Sequence, residues 1–108
     1  MSMPDSSPDR YRLHAELCKV LTDPKRLMLL EALRDGARSV GELSDTIGST
    51  LANTSQHLAV MRNAGLVEGR RDGTTVRYHL AEPAIVAACD IVQGIVERRQ
   101  ASRLVTAG

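Results

Sequence analysis

Breaks in the helical pattern constrain this chain more than any other feature. Helix starts and stops recur at Thr22-Asp23-Pro24, Asp35-Gly36, Ser39-Val40-Gly41-Glu42, Gly48-Ser49-Thr50 and Gly65. Asp23 is a good N-cap, and Pro24 suits the first helical position. Ser39, followed three residues later by Glu42, has the spacing of a capping box. Thr50 can cap the next helix, and Gly65 can take the left-handed conformation just beyond its end. The segments between these breaks carry apolar residues at helical spacing: Leu27, Leu29, Leu30 and Leu33 in one, Leu43 and Ile47 in the next. The chain is therefore cut into short helices.

Upstream, Leu13, Leu17, Val20 and Leu21 give an apolar stripe to a helix running from Pro8 or Asp9 to Leu21. Beyond Gly65 the pattern changes. Leu66 to Arg71 and Thr75 to Leu80 read as strands joined by Asp72-Gly73-Thr74, a glycine-containing hairpin turn. A last helix follows Pro83, with Ile85, Cys89, Val92 and Val96 on one stripe. The fold class is mainly α with a β-hairpin wing, in the order α-α-α-α-β-β-α. Two short helices with a tight turn at Gly48-Ser49-Thr50, followed at once by a basic hairpin, define a winged helix-turn-helix.

Residues 1–7 are expected to form a disordered leader, 8–100 the folded domain and 101–108 a frayed tail. At 108 residues this is one domain by length. Phe and Trp are absent and Tyr occurs twice, so the core must be aliphatic. No apolar run is long enough to span a membrane. The polar leader does not read as a secretion signal. Cys18 and Cys89 are too few for a secreted disulfide scaffold, which makes the cytoplasm the expected compartment.

The net charge of +1 gives no global pull on nucleic acid, so the distribution of charge decides. Arg62, Arg70, Arg71 and Arg77 stand against Glu68 and Asp72, a modest local excess of the right sign. In the helix from Leu51 to Asn63, Leu51, Thr54, Leu58 and Met61 share one side at 100° per residue. Ala52, Asn53, Gln56, Ala59 and Asn63 fall opposite, with Ser55 and His57 on the flanks. Asn and Gln can bond adenine bidentately in the major groove, Ser and Thr can reach bases or phosphates, and alanines keep the face thin. A merely solvated face normally carries Lys and Glu, and Leu51 to Ala59 has no charged residue. The expected DNA-contacting set is Thr50, Asn53, Thr54, Ser55, Gln56, His57, Arg62, Arg70, Arg71 and Arg77. His57 is not expected to bind metal, because no second ligand shares its spacing, and His79 reads as structural.

In its motifs the chain resembles the ArsR/SmtB-type winged-helix repressors. The carriers are Leu21-Thr22-Asp23-Pro24-Lys25-Arg26-Leu27, Ser39-Val40-Gly41-Glu42-Leu43 and Ala52-Asn53-Thr54-Ser55-Gln56-His57-Leu58. They are followed by Leu66-Val67, Arg70-Arg71-Asp72-Gly73 and Val76-Arg77-Tyr78-His79-Leu80. The resemblance implies a homodimer built on the first and last helices, bound to a near-palindromic operator in double-stranded DNA and released by an inducer. One family metal site uses cysteines at the start of the third helix, and Ser39 to Leu43 has none. Another uses Asp and His at the start of the last helix with His and Glu near its end. Glu82, Ala84, Ile95 and Arg98 stand at those places here. No metal site and no cofactor is therefore expected. The Ala52-to-Leu58 motif looks most like the subgroup associated with rhodanese domains and sulfur metabolism.

In such a dimer the helices bearing Cys18 and Cys89 pack together. The two thiols are then either small buried hydrophobes, a redox or polysulfide switch, or, with His14 four residues before Cys18, a weak non-standard metal site. The function expected is a repressor whose signal is thiol-linked rather than metallic. The alternatives are a winged-helix protein-interaction module and a metal-responsive repressor with a non-standard site. No nucleophile–base pair, phosphate loop or carboxylate pair points to an enzyme.

Overall fold

A computed structural model describes residues 7–107, with the side chains described through Arg103. The order is α1 (Pro8–Val20), α2 (Pro24–Ala32), β1 (Arg38–Ser39), α3 (Val40–Ile47), α4 (Leu51–Asn63), β2 (Val67–Asp72), β3 (Thr75–Leu80) and α5 (Ala84–Ala107). Of the expected leader, residues 1–6 lie outside the described region, and Ser7 holds the N-cap position of α1. The expected frayed tail is helical as far as Ala107. No Pro or Gly interrupts the chain between Gly94 and Gly108, so nothing local stops α5 sooner.

Each break acts as its residues dictate. The Asp23 carboxylate accepts from the amides of Lys25 (2.8 Å) and Arg26 (3.4 Å), capping α2. At α3 both halves of the capping box form: the Glu42 amide donates to Ser39 Oγ (3.2 Å), and the Ser39 amide donates to Glu42 Oε1 (3.1 Å). Gly48 ends α3 at φ +64°, a left-handed conformation that a side chain would strain. That reversal turns the chain directly into α4.

The core is the aliphatic one the composition demands: Leu29, Leu30, Leu33, Leu43, Ile47, Leu58, Met61, Leu66, Val67 and Val86. It joins α2, α3, α4, the start of β2 and the first turn of α5. The sheet is antiparallel in the order β1-β3-β2, with Arg38 opposite Tyr78 and Ser39 opposite Arg77. The hairpin is in register from Val67–Leu80 to Asp72–Thr75. Sequence patterning misses β1, which at two residues shows no periodicity. Its effect is large, because it makes β3 the central strand.

α1 and most of α5 project from this core. No residue of α1 is buried, and Leu13, Ile91, Val92, Ile95 and Val96 are exposed. The radius of gyration is 16.6 Å, against about 13 Å for a compact chain of this length. One polar clasp ties α5 back. Arg34 bonds both carboxylate oxygens of Asp90 (2.6 and 3.0 Å) and also Glu31 (2.7 Å).

Three carboxyls are held below their ordinary values of 3.8 for Asp and 4.5 for Glu. At Asp23 desolvation pushes upward, but the amide bonds from Lys25 and Arg26 outweigh it. At Glu42 the Ser39 amide lowers it, and at Asp90 the Arg34 guanidinium does. The folded chain thus binds these protons more weakly than the unfolded chain. Their stabilisation is complete above the unfolded values and is lost as pH falls through the folded ones. The melting temperature is expected to be flat above about pH 5 and to drop toward pH 3. Asp90→Asn should flatten part of that fall; an unchanged acid limb would contradict the assignment.

Candidate nucleic-acid interface

α4 is anchored by one face and open on the other. Thr54, Leu58 and Met61 are fully buried, whereas Ala52, Asn53, Ser55, Gln56 and Asn63 are exposed. The anchoring is local in origin. Thr50 Oγ1 accepts from the Asn53 amide (3.1 Å), which caps the helix. The open face presents amide and hydroxyl groups with no charge, flanked by exposed Arg62 at the helix end. Arg70 and Arg71 are exposed on β2, near the Gly73 turn at φ +65°.

Three expected members of the set are placed differently. Thr54 is 0% exposed, and its hydroxyl donates to the Thr50 carbonyl (2.8 Å), so it serves the helix start and is closed to a ligand. Arg77 does not project freely from the wing. Because β3 is central, Arg77 lies over β1 and α3, where it donates to the Ala37 carbonyl (3.3 Å) and pairs with Glu42 (3.3 Å). His57 is half-buried, with Nδ1 3.4 Å from an Arg26 guanidinium nitrogen. Thr50, Asn53, Ser55, Gln56, Arg62, Arg70 and Arg71 all stand at the surface. Leu51, expected to face the core, is 59% exposed, since the first turn of α4 overhangs it. There it adds an apolar group of the kind that can meet a thymine methyl.

Sequence reasoning missed Lys25 and Arg26. Lys25 Nζ donates to the Ile47 carbonyl (2.6 Å), closing the end of α3. Arg26 Nε donates to the Val20 carbonyl (2.5 Å), closing the end of α1. A signal was present: two cations in the first turn of a helix oppose its dipole. Such residues are there to reach something else.

Cys18 is exposed and Cys89 half-buried, and both line one groove of about 760 Å³ between α1, α2 and α5. Leu17, Leu30 and Val86 form its apolar wall. Burial, assisted by Asp90, pushes the Cys89 thiol up. Among the described residues no three His, Cys, Asp or Glu side chains converge as a metal site, and no helix is long and apolar enough to cross a membrane.

A helix with an uncharged open face, set on a helix-turn-helix beside a basic hairpin, defines a winged-helix DNA-binding transcriptional regulator. Residues 23–69 match the family described as bacterial regulatory protein, arsR family. A regulator of Mycobacterium tuberculosis, Rv0081, called an uncharacterized HTH-type transcriptional regulator, is 40% identical over 95 residues, covering 87% of this chain and 83% of its own length. The crystal structure of Rv0081 superposes with a TM-score of 0.80 at 39% identity, covering 92% of this chain and 99% of that one. The biofilm growth-associated repressor of Xylella fastidiosa is 46% identical over 68 residues, 63% of this chain and 60% of that protein. A homodimeric winged helix-turn-helix DNA-binding domain from Mycobacterium bovis, Mb0332, superposes with a TM-score of 0.77 at 27% identity, over 92% of each chain. The chain belongs to the arsR family. Its relatives are transcriptional regulators rather than enzymes, as the sequence reading expects.

The placement of Thr54 is open to a direct test. Thr54→Val keeps the buried volume and deletes one hydrogen bond, and it is expected to cost about 1 kcal/mol in chemical denaturation. Base preference on DNA should not change. A shifted base preference at unchanged stability would return Thr54 to the contact surface.

Proposed function

We propose that this protein is a homodimeric repressor that inserts α4 of each protomer into the major groove of a near-palindromic operator and is released by a thiol-linked signal. The observation that carries the reading is the open, uncharged face of α4 bearing Asn53, Ser55 and Gln56, with Arg70 and Arg71 exposed on the hairpin that follows. Asn53 and Gln56 supply base-edge bonds, while Thr50, Arg62 and the wing arginines supply phosphate contacts. The unpartnered apolar surfaces of α1 and α5 support a dimer, as does the expanded shape of the single chain. The homodimeric Mb0332 domain and the Xylella repressor support the assembly and the sign of regulation. A two-fold dimer sets its reading helices about one turn of DNA apart, roughly 34 Å.

The shared groove supports the thiol signal and the sulfur-linked subgroup. The exposed Cys18 reacts first with a hydroperoxide, giving a sulfenic acid and an alcohol. Cys89 then displaces water to form a disulfide, so two thiols lose two protons and two electrons to the peroxide.

Sedimentation of the full chain is expected to give a dimer. Anisotropy with duplexes from its own upstream region should show binding that weakens steeply with salt. Arg70→Ala and Arg71→Ala should each reduce the salt slope by about 1. Gln56→Ala should cost about 1 to 3 kcal/mol and relax specificity at one base position. Peroxide should release the reduced protein from DNA but leave Cys18→Ser bound. A monomer that ignores DNA would overturn the reading, and release of Cys18→Ser by peroxide would overturn its thiol part.

A further inference from the structure

We propose that Arg26 is a positioning residue for DNA reading: it fixes the His57 imidazole as the Nε2–H tautomer, so that Nε2 offers a donor to a DNA acceptor. The inference rests on the DNA-reading role of α4 proposed above. Its basis is a bridge among three helices. The guanidinium of Arg26, on α2, bonds the Val20 carbonyl (2.5 Å) and the Lys19 carbonyl (3.4 Å) at the end of α1, and lies 3.4 Å from His57 Nδ1 on α4.

The chemistry follows from the donor inventory. A guanidinium only donates, so the imidazole nitrogen facing it must accept. Nδ1 therefore carries the lone pair, and in the neutral ring the proton sits on Nε2. Among the described residues no protein partner of Nε2 is found. His57 stands one residue after the exposed Gln56 and is itself half-exposed. Its Nε2–H is suited to a phosphate oxygen, or to the acceptor positions of a purine or thymine edge. The same bridge makes the setting of the imidazole depend on the last turn of α1, two residues beyond Cys18.

The test combines a spectroscopic signature with a double-mutant cycle. Two-bond nitrogen–proton correlation spectra of the DNA-free protein, with histidine nitrogens labelled, are expected to show His57 as Nε2–H with Nδ1 bare. Arg26→Lys keeps the charge but lacks the fork that spans both α1 carbonyls and the ring, and it should give mixed tautomers. On the upstream duplex, His57→Ala and Arg26→Lys should each weaken binding about tenfold, and the double variant no more than either alone. A purely structural Arg26 would instead give losses that multiply toward a hundredfold. That result, or an Nδ1–H tautomer in the unmodified protein, would overturn the proposal. Should Arg26→Lys fail to fold by circular dichroism, the unmodified tautomer and the His57→Ala loss decide the matter. A protein with the expected tautomer that binds no duplex would sink the DNA reading itself and leave the Arg26–His57 geometry standing.

Discussion

Short helices have a problem that long ones dilute: each end leaves up to four backbone groups without a partner. In a domain cut into helices of eight to thirteen residues before its last one, the fold depends on how those ends are closed. A single sequence run, Asp23-Pro24-Lys25-Arg26, deals with three of them. Asp23 closes the start of α2, Lys25 reaches the end of α3 through the Ile47 carbonyl, and Arg26 reaches the end of α1 through the Val20 carbonyl. The cations leave an unfavourable position at a helix start because other carbonyls repay the move. Helix closure and the relative placement of α1, α2 and α3 thus become one interaction set, and α4 is packed onto the result by Thr54, Leu58 and Met61.

What the sequence disclosed was whatever depends on neighbours along the chain. The Ser39–Glu42 box, the Gly48 stop, the Thr50 cap and the Gly73 turn are local contracts between residues a few positions apart, and each could be read directly. The split of α4 into a buried and an open side was legible because helical geometry fixes it. Less legible was whatever depends on a partner far along the chain, as at β1 and Arg77. β1 is two residues long and exists only because Tyr78 and Arg77 lie opposite it. Arg77 therefore could not be distinguished from Arg70 and Arg71, although its guanidinium is turned inward to Ala37 and Glu42. Thr54 has the side chain of a DNA contact and the position of a core residue, and position decides. Leu51 fails the other way: the periodicity assigns it to the core, but the core ends before it.

The aliphatic composition has a consequence at the level of assembly. Without Phe or Trp, each core position contributes the area of a Leu, Ile, Val or Met, and α1 adds no buried residue at all. The apolar residues that could have enlarged the core sit instead on α5 and α1, facing outward. An apolar face of that extent on a small chain marks an interaction site. The groove holding Cys18 and Cys89 is lined by Val92 of this same face, so the second copy of the proposed dimer and any chemistry at the thiols would act on one surface.

The near-zero net charge bears on how affinity is made. At +1 the chain has little long-range attraction for a polyanion, and it cannot gather DNA through its overall field. Attraction must come from a few cations at the rim of the reading helix, acting within a Debye length of about 8 Å at physiological salt. The stretch from Leu51 to Ala59 carries no charge, so in the proposed reading it contributes discrimination among bases through Asn53, Gln56 and an oriented His57. Separating the two roles keeps binding to arbitrary sequence weak, because phosphates alone meet only a sparse set of arginines. In the homodimer proposed above the pairing of protomers is decisive: a small per-protomer attraction becomes useful affinity only when both reading helices engage at once. Any change that shifts one α4 relative to its partner, through α1 or the Arg26 bridge, then removes the gain from linking the two.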